Sequence, residues 1–267
     1  MDRDGAKPYL TPLSMKKNIH FAELAPFREI FREGVPVICY HKVGPKPLHA
    51  KLRGIYVTRG FFCRQMRELR RAGFRTITLD DCVASRPPND RKIVLTFDDG
   101  SVTLLKNAVP AMARAGFTAI NYLVSDLIGG RNEWDVVNGE VPDRLMDDVQ
   151  VREWIAAGHQ IGSHTRSHPR LSRIPLEQAR EEIVGSKKSL EDRFGIPIRH
   201  FCYPYGDLSP QVRDLVAEAG YTTAVTTDWG VHECGGDPLL INRIGARAHS
   251  LNFRNVFRRL TGRPLGD

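Results

Sequence analysis

Ile93-Val94-Leu95-Thr96-Phe97-Asp98-Asp99-Gly100 runs from apolar residues straight into an acidic turn. It reads as a β-strand whose far end presents two carboxylates. A second stretch of this kind is Gln160-Ile161-Gly162-Ser163-His164-Thr165-Arg166-Ser167-His168-Pro169, where a short strand ends in two histidines. Ligand-capable groups at the ends of two strands of one sheet can converge on a point. One carboxylate and two imidazoles form a three-ligand set for a divalent metal with an open position, and the second carboxylate is left to act as a base. Together the two clusters outline a metal-dependent hydrolase.

Around these stretches the chain alternates strands and helices. Strands are expected at 35–40, 75–79, 93–97, 117–124, 160–163, 199–203, 222–226 and 240–246. Helices are expected at 61–72, 104–115, 149–157, 176–194, 210–219 and 253–260, and Gly73, Gly116, Gly158, Gly195 and Gly220 stop the first five. Asp80 is positioned to cap the segment after the second strand. This rhythm predicts an α/β fold with a mostly parallel sheet, a barrel among the options. Sites in such folds sit at the C-terminal ends of strands, where both clusters fall. Residues 1–34 read as an N-terminal extension with a short amphipathic helix at 21–31, ended by Gly34. Residues 35–267 read as one domain. The polar stretch 125–143 is too long for a plain connector, and loops of that length tend to be functional.

The 267 residues suit a single domain, and 41% hydrophobic with 26% charged residues is an ordinary globular balance. No apolar run approaches a membrane span. The charged start Met1-Asp2-Arg3-Asp4-Gly5 carries no secretory pattern, so a cytoplasmic location is the expectation. A net charge of +8 biases the surface toward anions. The densest groups, Arg67-Arg70-Arg71 and Arg254-Arg258-Arg259, are spaced as solvated helix faces, and no nucleic-acid role is expected. Five cysteines without a Cys-x-x-Cys pair argue against a disulfide framework or a thiolate zinc site.

The roles within the clusters stay open at this level. Adjacent aspartates on extended backbone point apart, so one of Asp98 and Asp99 can ligate while the other faces substrate. The alternative is an Asx turn with solvated carboxylates. His164 and His168 can wrap one metal from a loop, which Pro169 favours. A third strand end, Phe201-Cys202-Tyr203-Pro204-Tyr205-Gly206, makes a tight turn that can aim the Tyr205 N–H at a developing oxyanion, or serve structure alone.

Thr96 to Gly100, His164 to His168, and Tyr203-Pro204-Tyr205-Gly206, in that order, resemble the motifs of polysaccharide deacetylases, the NodB-homology carbohydrate esterases. The resemblance runs from about Val35 to Arg258 and leans toward the branch with poly-N-acetylglucosamine deacetylases. It implies a distorted (β/α) barrel of seven or eight mostly parallel strands as the catalytic domain, and an N-acetylated carbohydrate as partner. It implies Asp99, His164 and His168 as metal ligands, with zinc the usual ion and cobalt or nickel alternatives. Asp98 would be the base on a metal-bound water, and the Tyr205 N–H would face the oxyanion. Tyr203 and Pro204 shape the third motif.

The sequence departs from the family in places. Cys202 stands where many members carry an arginine that holds the catalytic aspartate. Arg243 is a basic group that can reach the same place from the last strand. His249 is the nearest candidate for the family's late general acid, although it also fits a helix start. His41 is a second candidate acid, or a histidine lining the core. Asp228 and Trp229 offer an orienting carboxylate and an aromatic wall, or a plain turn. Trp134 reads as a packing residue, with sugar stacking as the alternative. The rival functions are another non-peptide C–N hydrolase, an O-acetyl esterase, or a carbohydrate-binding protein without catalysis.

Overall fold

The computed structural model describes residues 20–52, 54–86, 90–233 and 235–247. The strands are β1 (Val37–Tyr40), β2 (Lys42–Val43), β3 (Tyr56–Val57), β4 (Arg75–Thr76), β5 (Lys92–Phe97), β6 (Ile120–Leu123), β7 (Gln160–Ser163), β8 (His200–Cys202), β9 (Thr223–Trp229) and β10 (Ile241–Gly245). Between them lie α1 (Ile30–Glu33), α2 (Arg59–Arg71), α3 (Leu79–Ala84), α4 (Thr103–Asn107), α5 (Val109–Ala115), α6 (Asp148–Ala156), α7 (Leu176–Phe194) and α8 (Pro210–Glu218). Seven parallel strands close into a ring, β1-β5-β6-β7-β8-β9-β10, and β10 pairs back onto β1. Strand β4 adds to the start of β5, and β2 pairs with β3 as a separate ribbon. This is the distorted (β/α) barrel that the resemblance implies. No helix among the described residues is long and apolar enough to cross a membrane.

The pleat sorts each strand into an outer and an inner face. Ile38, Ile93, Leu95, Phe97, Leu123, Phe201 and Ile244 face the helices in the larger core. Val37, Val94, Ile120, Tyr122, Cys202, Val225 and Ile241 make a second, inner cluster, and Leu79 and Cys82 of α3 join it. Gly162 is part of this arrangement, since a Cβ there would meet the Tyr122 ring at 2.6 Å. Following the inner faces along the strands, the apolar column gives way to Thr96, Asp98 and Arg243. The barrel interior is therefore a sealed core at one end and a polar site at the other.

Helix starts follow local chemistry. Thr58 caps α2 by accepting the Phe61 N–H, and Phe62, Met66 and Leu69 bury one face of that helix. Asp147 and Gln150 form a reciprocal capping box on α6.

Four expectations change in detail. The helix expected over 104–115 is split into α4 and α5 at Ala108, because Pro110 lacks the N–H that a continuous helix needs. The strand expected over 75–79 shortens to β4 because Thr78 turns to cap α3, accepting the Asp81 N–H at 3.1 Å. Asp80 lies in the helix's first turn instead of capping it. The helix expected over 21–31 is a 3-10 turn, Ala25–Phe27, followed by α1. Its aromatics Phe21, Phe27 and Phe31 pack on one another within the main core, so side-chain burial sets the path of this segment. The expected helix at 253–260 lies outside the described residues.

Candidate active site

Strand β5 delivers Asp98 at its end, and the backbone then turns through left-handed conformations at Asp99 (φ +77°) and Gly100 (φ +83°). The two neighbouring carboxylates part company at this turn. Asp98 stays in the barrel interior, where the Asp98 N–H donates to the Tyr40 carbonyl at 3.0 Å. Asp99 turns toward the histidines, with Oδ1 at 3.6 Å from His164 Nε2 and 3.7 Å from His168 Nε2. Those separations are too long for hydrogen bonds. They suit atoms sharing an ion, since two ligands each about 2.1 Å from a tetrahedral metal stand about 3.4 Å apart.

The donor set fits a divalent metal on other grounds too. One ligand atom from each of Asp99, His164 and His168 lies within 4.8 Å of the others, and all three residues are buried. His164 Nδ1 donates to the Cys202 carbonyl at 2.8 Å, which leaves Nε2 as a bare lone pair on the Asp99 side. Burial holds both imidazoles below their ordinary pKa, hence neutral and able to ligate. Burial also pushes the Asp99 carboxyl up, as for an anion that lacks a close counter-charge.

Asp98 is in the opposite situation. Arg243, from β10, grips it with both arms of the guanidinium: Nη1 donates to Oδ1 at 2.8 Å and Nη2 to Oδ2 at 2.9 Å. The remaining N–H groups of Arg243 go to the Thr226 carbonyl, Thr96 Oγ1 and Cys202 Sγ, so all five donors are engaged. Burial alone would raise the Asp98 carboxyl, but the Arg243 charge overcomes it, with help from His41. The net result is a carboxylate well below the usual range. Cys39 Sγ lies 3.5 Å from Asp98 Oδ2, and His41 Nε2 lies 3.7 Å from the same oxygen. Burial keeps the thiols of Cys39 and Cys202 protonated.

Among the described residues, four of the five non-glycine positions at positive φ stand here: Asp99, Thr165, His168 and Tyr205. Such backbone costs about 1–3 kcal/mol per residue and persists only where its surroundings enforce it. The main anchor is Glu182 of α7. Its carboxylate accepts from the Arg166 N–H at 2.8 Å, the Ser167 N–H at 2.9 Å and the Ser167 hydroxyl at 2.6 Å. Thr165 Oγ1 accepts the His168 N–H at 2.9 Å.

These groups open into a cavity of about 350 Å³. His41, Tyr203, Tyr205 and Arg243 line it together with Asp98, Asp99, His164 and His168. Pro204 is buried beneath the turn, and Tyr203 is fully buried with its hydroxyl on the Leu239 carbonyl at 3.2 Å. Trp229 ends β9 and packs half-buried on the main core. At that strand end Thr227 lines the cavity, and β9 runs on through Trp229 in place of the plain turn that was the alternative to an aromatic wall. His249 lies outside the described residues.

The loop 125–143 supplies Trp134, for which sugar stacking was the alternative to packing, and also Asp135 and Asn138, which local sequence did not single out as pocket walls. The Trp134 ring stacks on His168 with centroids 4.3 Å apart, so one of its faces is taken by the imidazole. A buried polar knot fastens the loop, since Glu140 accepts from Lys42 Nζ at 3.1 Å and from the Tyr56 hydroxyl. Loop length was the available signal for Asp135 and Asn138. Nothing local marked Glu182, sixteen residues or so beyond the histidines, as their anchor.

Comparison with known proteins agrees with this fold. YxkH of Bacillus subtilis (strain 168) is 23% identical over 200 residues, covering 73% of this chain, and the matched part spans 65% of YxkH. The barrel superposes on the Streptococcus pyogenes deacetylase PplD in complex with acetate, with TM-score 0.69, 21% identity, and 80% of this chain and 93% of that one covered. IcaB from Ammonifex degensii gives TM-score 0.69 at 20% identity, with 84% and 95% covered. At such identities these solved structures establish the fold. The family model described as polysaccharide deacetylase matches residues 85–224, a span that carries Asp98-Asp99, His164 to His168 and the Tyr203–Gly206 turn, and the chain belongs to that family.

Proposed function

We propose that the protein is a metal-dependent hydrolase that removes N-acetyl groups from an N-acetylated sugar of a polysaccharide or glycoconjugate. One observation carries this reading: Asp98, clamped by Arg243, opens into the same cavity as the Asp99, His164 and His168 cluster. Asp99, His164 and His168 would hold the metal, with zinc the expected ion. When bound, such an ion lowers the pKa of a water to about 7 and polarises the amide carbonyl.

The chain's own groups do the rest. Asp98 is the general base. The Arg243 fork fixes where its oxygens stand and keeps it ionised, while the same charge lowers its proton affinity. The Tyr205 N–H, in a left-handed turn closed by Gly206, is the proposed donor to the developing oxyanion. His41, a partly exposed ring within reach of Asp98, is the proposed source of the proton for the departing amine. Trp134 and the Tyr205 ring wall the acyl side and keep water scarce.

Chelator-treated protein given N-acetylglucosamine oligomers should release acetate only after Zn²⁺ or Co²⁺ is restored. Tight binding of one metal per chain without acetate release from any N-acetylated sugar would overturn the deacetylase reading. The turn anchored by Glu182 gives a separate test. Glu182→Ala should weaken metal affinity about 10–100-fold, the usual worth of a group that orients ligands, while kcat at saturating metal changes less. Competition with a chromogenic chelator measures it.

A further inference from the structure

We infer that Arg170 forms a subsite for an anionic oxygen group, a carboxylate or a phosphate, on the sugar being deacetylated or its neighbour. This rests on the deacetylase reading above and adds the chemistry of the substrate. Arg170 lines the cavity, and its guanidinium lies 4.0 Å over the face of the Tyr205 ring. The other side of that contact chain is the Tyr205 ring against His168, centroids 4.7 Å apart. A single aromatic ring therefore separates the cation from a ligand histidine.

The donors of Arg170 are largely unspent. Its carboxylate contact among the described residues is Asp207 at 3.8 Å, beyond hydrogen-bond length, and its side chain is 40% exposed. Asp207 is already committed, since it accepts the Ser172 N–H at 2.7 Å and stands 3.8 Å from Arg173 Nε. Arg243, the other arginine of the cavity, has every N–H engaged and no capacity for a further anion. The Tyr205 ring covers one side of the Arg170 guanidinium, and its N–H groups remain for an acceptor from the cavity, the groups with which arginine takes carboxylate and phosphate.

The charge across the mouth is directional. Asp135 sits at the hydroxyl end of the same tyrosine, where Tyr205 donates to it at 3.4 Å and Asn138 Nδ2 at 2.9 Å. An anionic substituent is repelled at that end of the ring and drawn to the Arg170 end, which would fix the orientation of the sugar as well as its charge.

The test compares the metal-loaded protein on three substrate sets: neutral N-acetylglucosamine oligomers, oligomers alternating with N-acetylmuramic acid, and oligomers bearing phosphate. The readout is the ratio of kcat/KM for each anionic set over the neutral one. Arg170→Gln should lower that ratio about tenfold, the worth of one charge-assisted hydrogen bond at a half-exposed site. Arg170→Glu should lower it further, and Arg170→Lys should retain part of it. Which anionic set responds tells carboxylate from phosphate. Equal losses on neutral and anionic substrates would overturn the inference and leave Arg170 as a mere support for Tyr205. If no substrate is turned over, the deacetylase reading has failed instead. Calorimetric affinities of the same oligomers for wild type and Arg170→Gln then decide the subsite on binding alone, and an unchanged ratio of affinities rejects it.

Discussion

Asp98→Asn should lower kcat for acetate release by at least about 10²–10⁴-fold, the range for loss of a positioned general base, while the metal content stays at one ion per chain. The two effects separate because the Asp99, His164 and His168 cluster is complete without Asp98. Acetate release and elemental analysis of the same preparation check both. Loss of the metal together with activity would show that Asp98 is a ligand and not the base. Full activity in the variant would move the base elsewhere, and a protein that only binds carbohydrate would keep its affinity in the variant. The asparagine also leaves Arg243 buried beside a neutral amide, so the variant should be less stable, and its activity belongs to the folded fraction measured by thermal unfolding.

Arg243→Met should be the most destabilising single change in the site. It strands the Asp98 carboxylate, 3% exposed, without its counter-charge. Breaking a buried pair from one side costs about 3–5 kcal/mol. For a domain of this size that is a fall in Tm of about 10 °C. Asp98→Asn combined with Arg243→Met should be more stable than the sum of the single losses, because no unpaired charge remains, yet it should stay inactive. Arg243→Lys should rescue little, since an ammonium cannot reproduce a fork that makes five bonds. The same contacts set the sign of the pH effect. With Arg243 removed, burial dominates and the Asp98 pKa rises, so the acid limb of the rate profile moves to higher pH. An unmoved acid limb and a Tm within a degree or two of wild type would overturn the clamp.

Much of the architecture could be read from the chain. Apolar runs ending in turn residues, and helices closed by Gly73, Gly116, Gly158, Gly195 and Gly220, are signals written within ten residues or so of themselves. They specified the α/β alternation and the strand-end location of Asp98, Asp99, His164 and His168. Local steric facts also explain the misjudged boundaries. Pro110 breaks a helix that periodicity alone would run through, and Thr78 outcompetes Asp80 for a cap.

What the sequence determined by itself was which groups stand at strand ends. It named Asp98 with Asp99, His164 with His168, the turn at Tyr205, and Arg243 on the last strand as a basic group within reach. Only the tertiary structure decided what each one faces. Arg243 and Asp98 are 145 residues apart, and they meet because β10 pairs with β1, which closes the ring beside β5. Strand register and pleat then choose the inner face for both, and they choose it for Cys39 and Cys202 as well. The same closure set Glu182 under the histidine loop, Trp134 over His168 and Arg170 over Tyr205. Pairing register and side-chain burial are global properties, settled only when every strand of the barrel has found its neighbour.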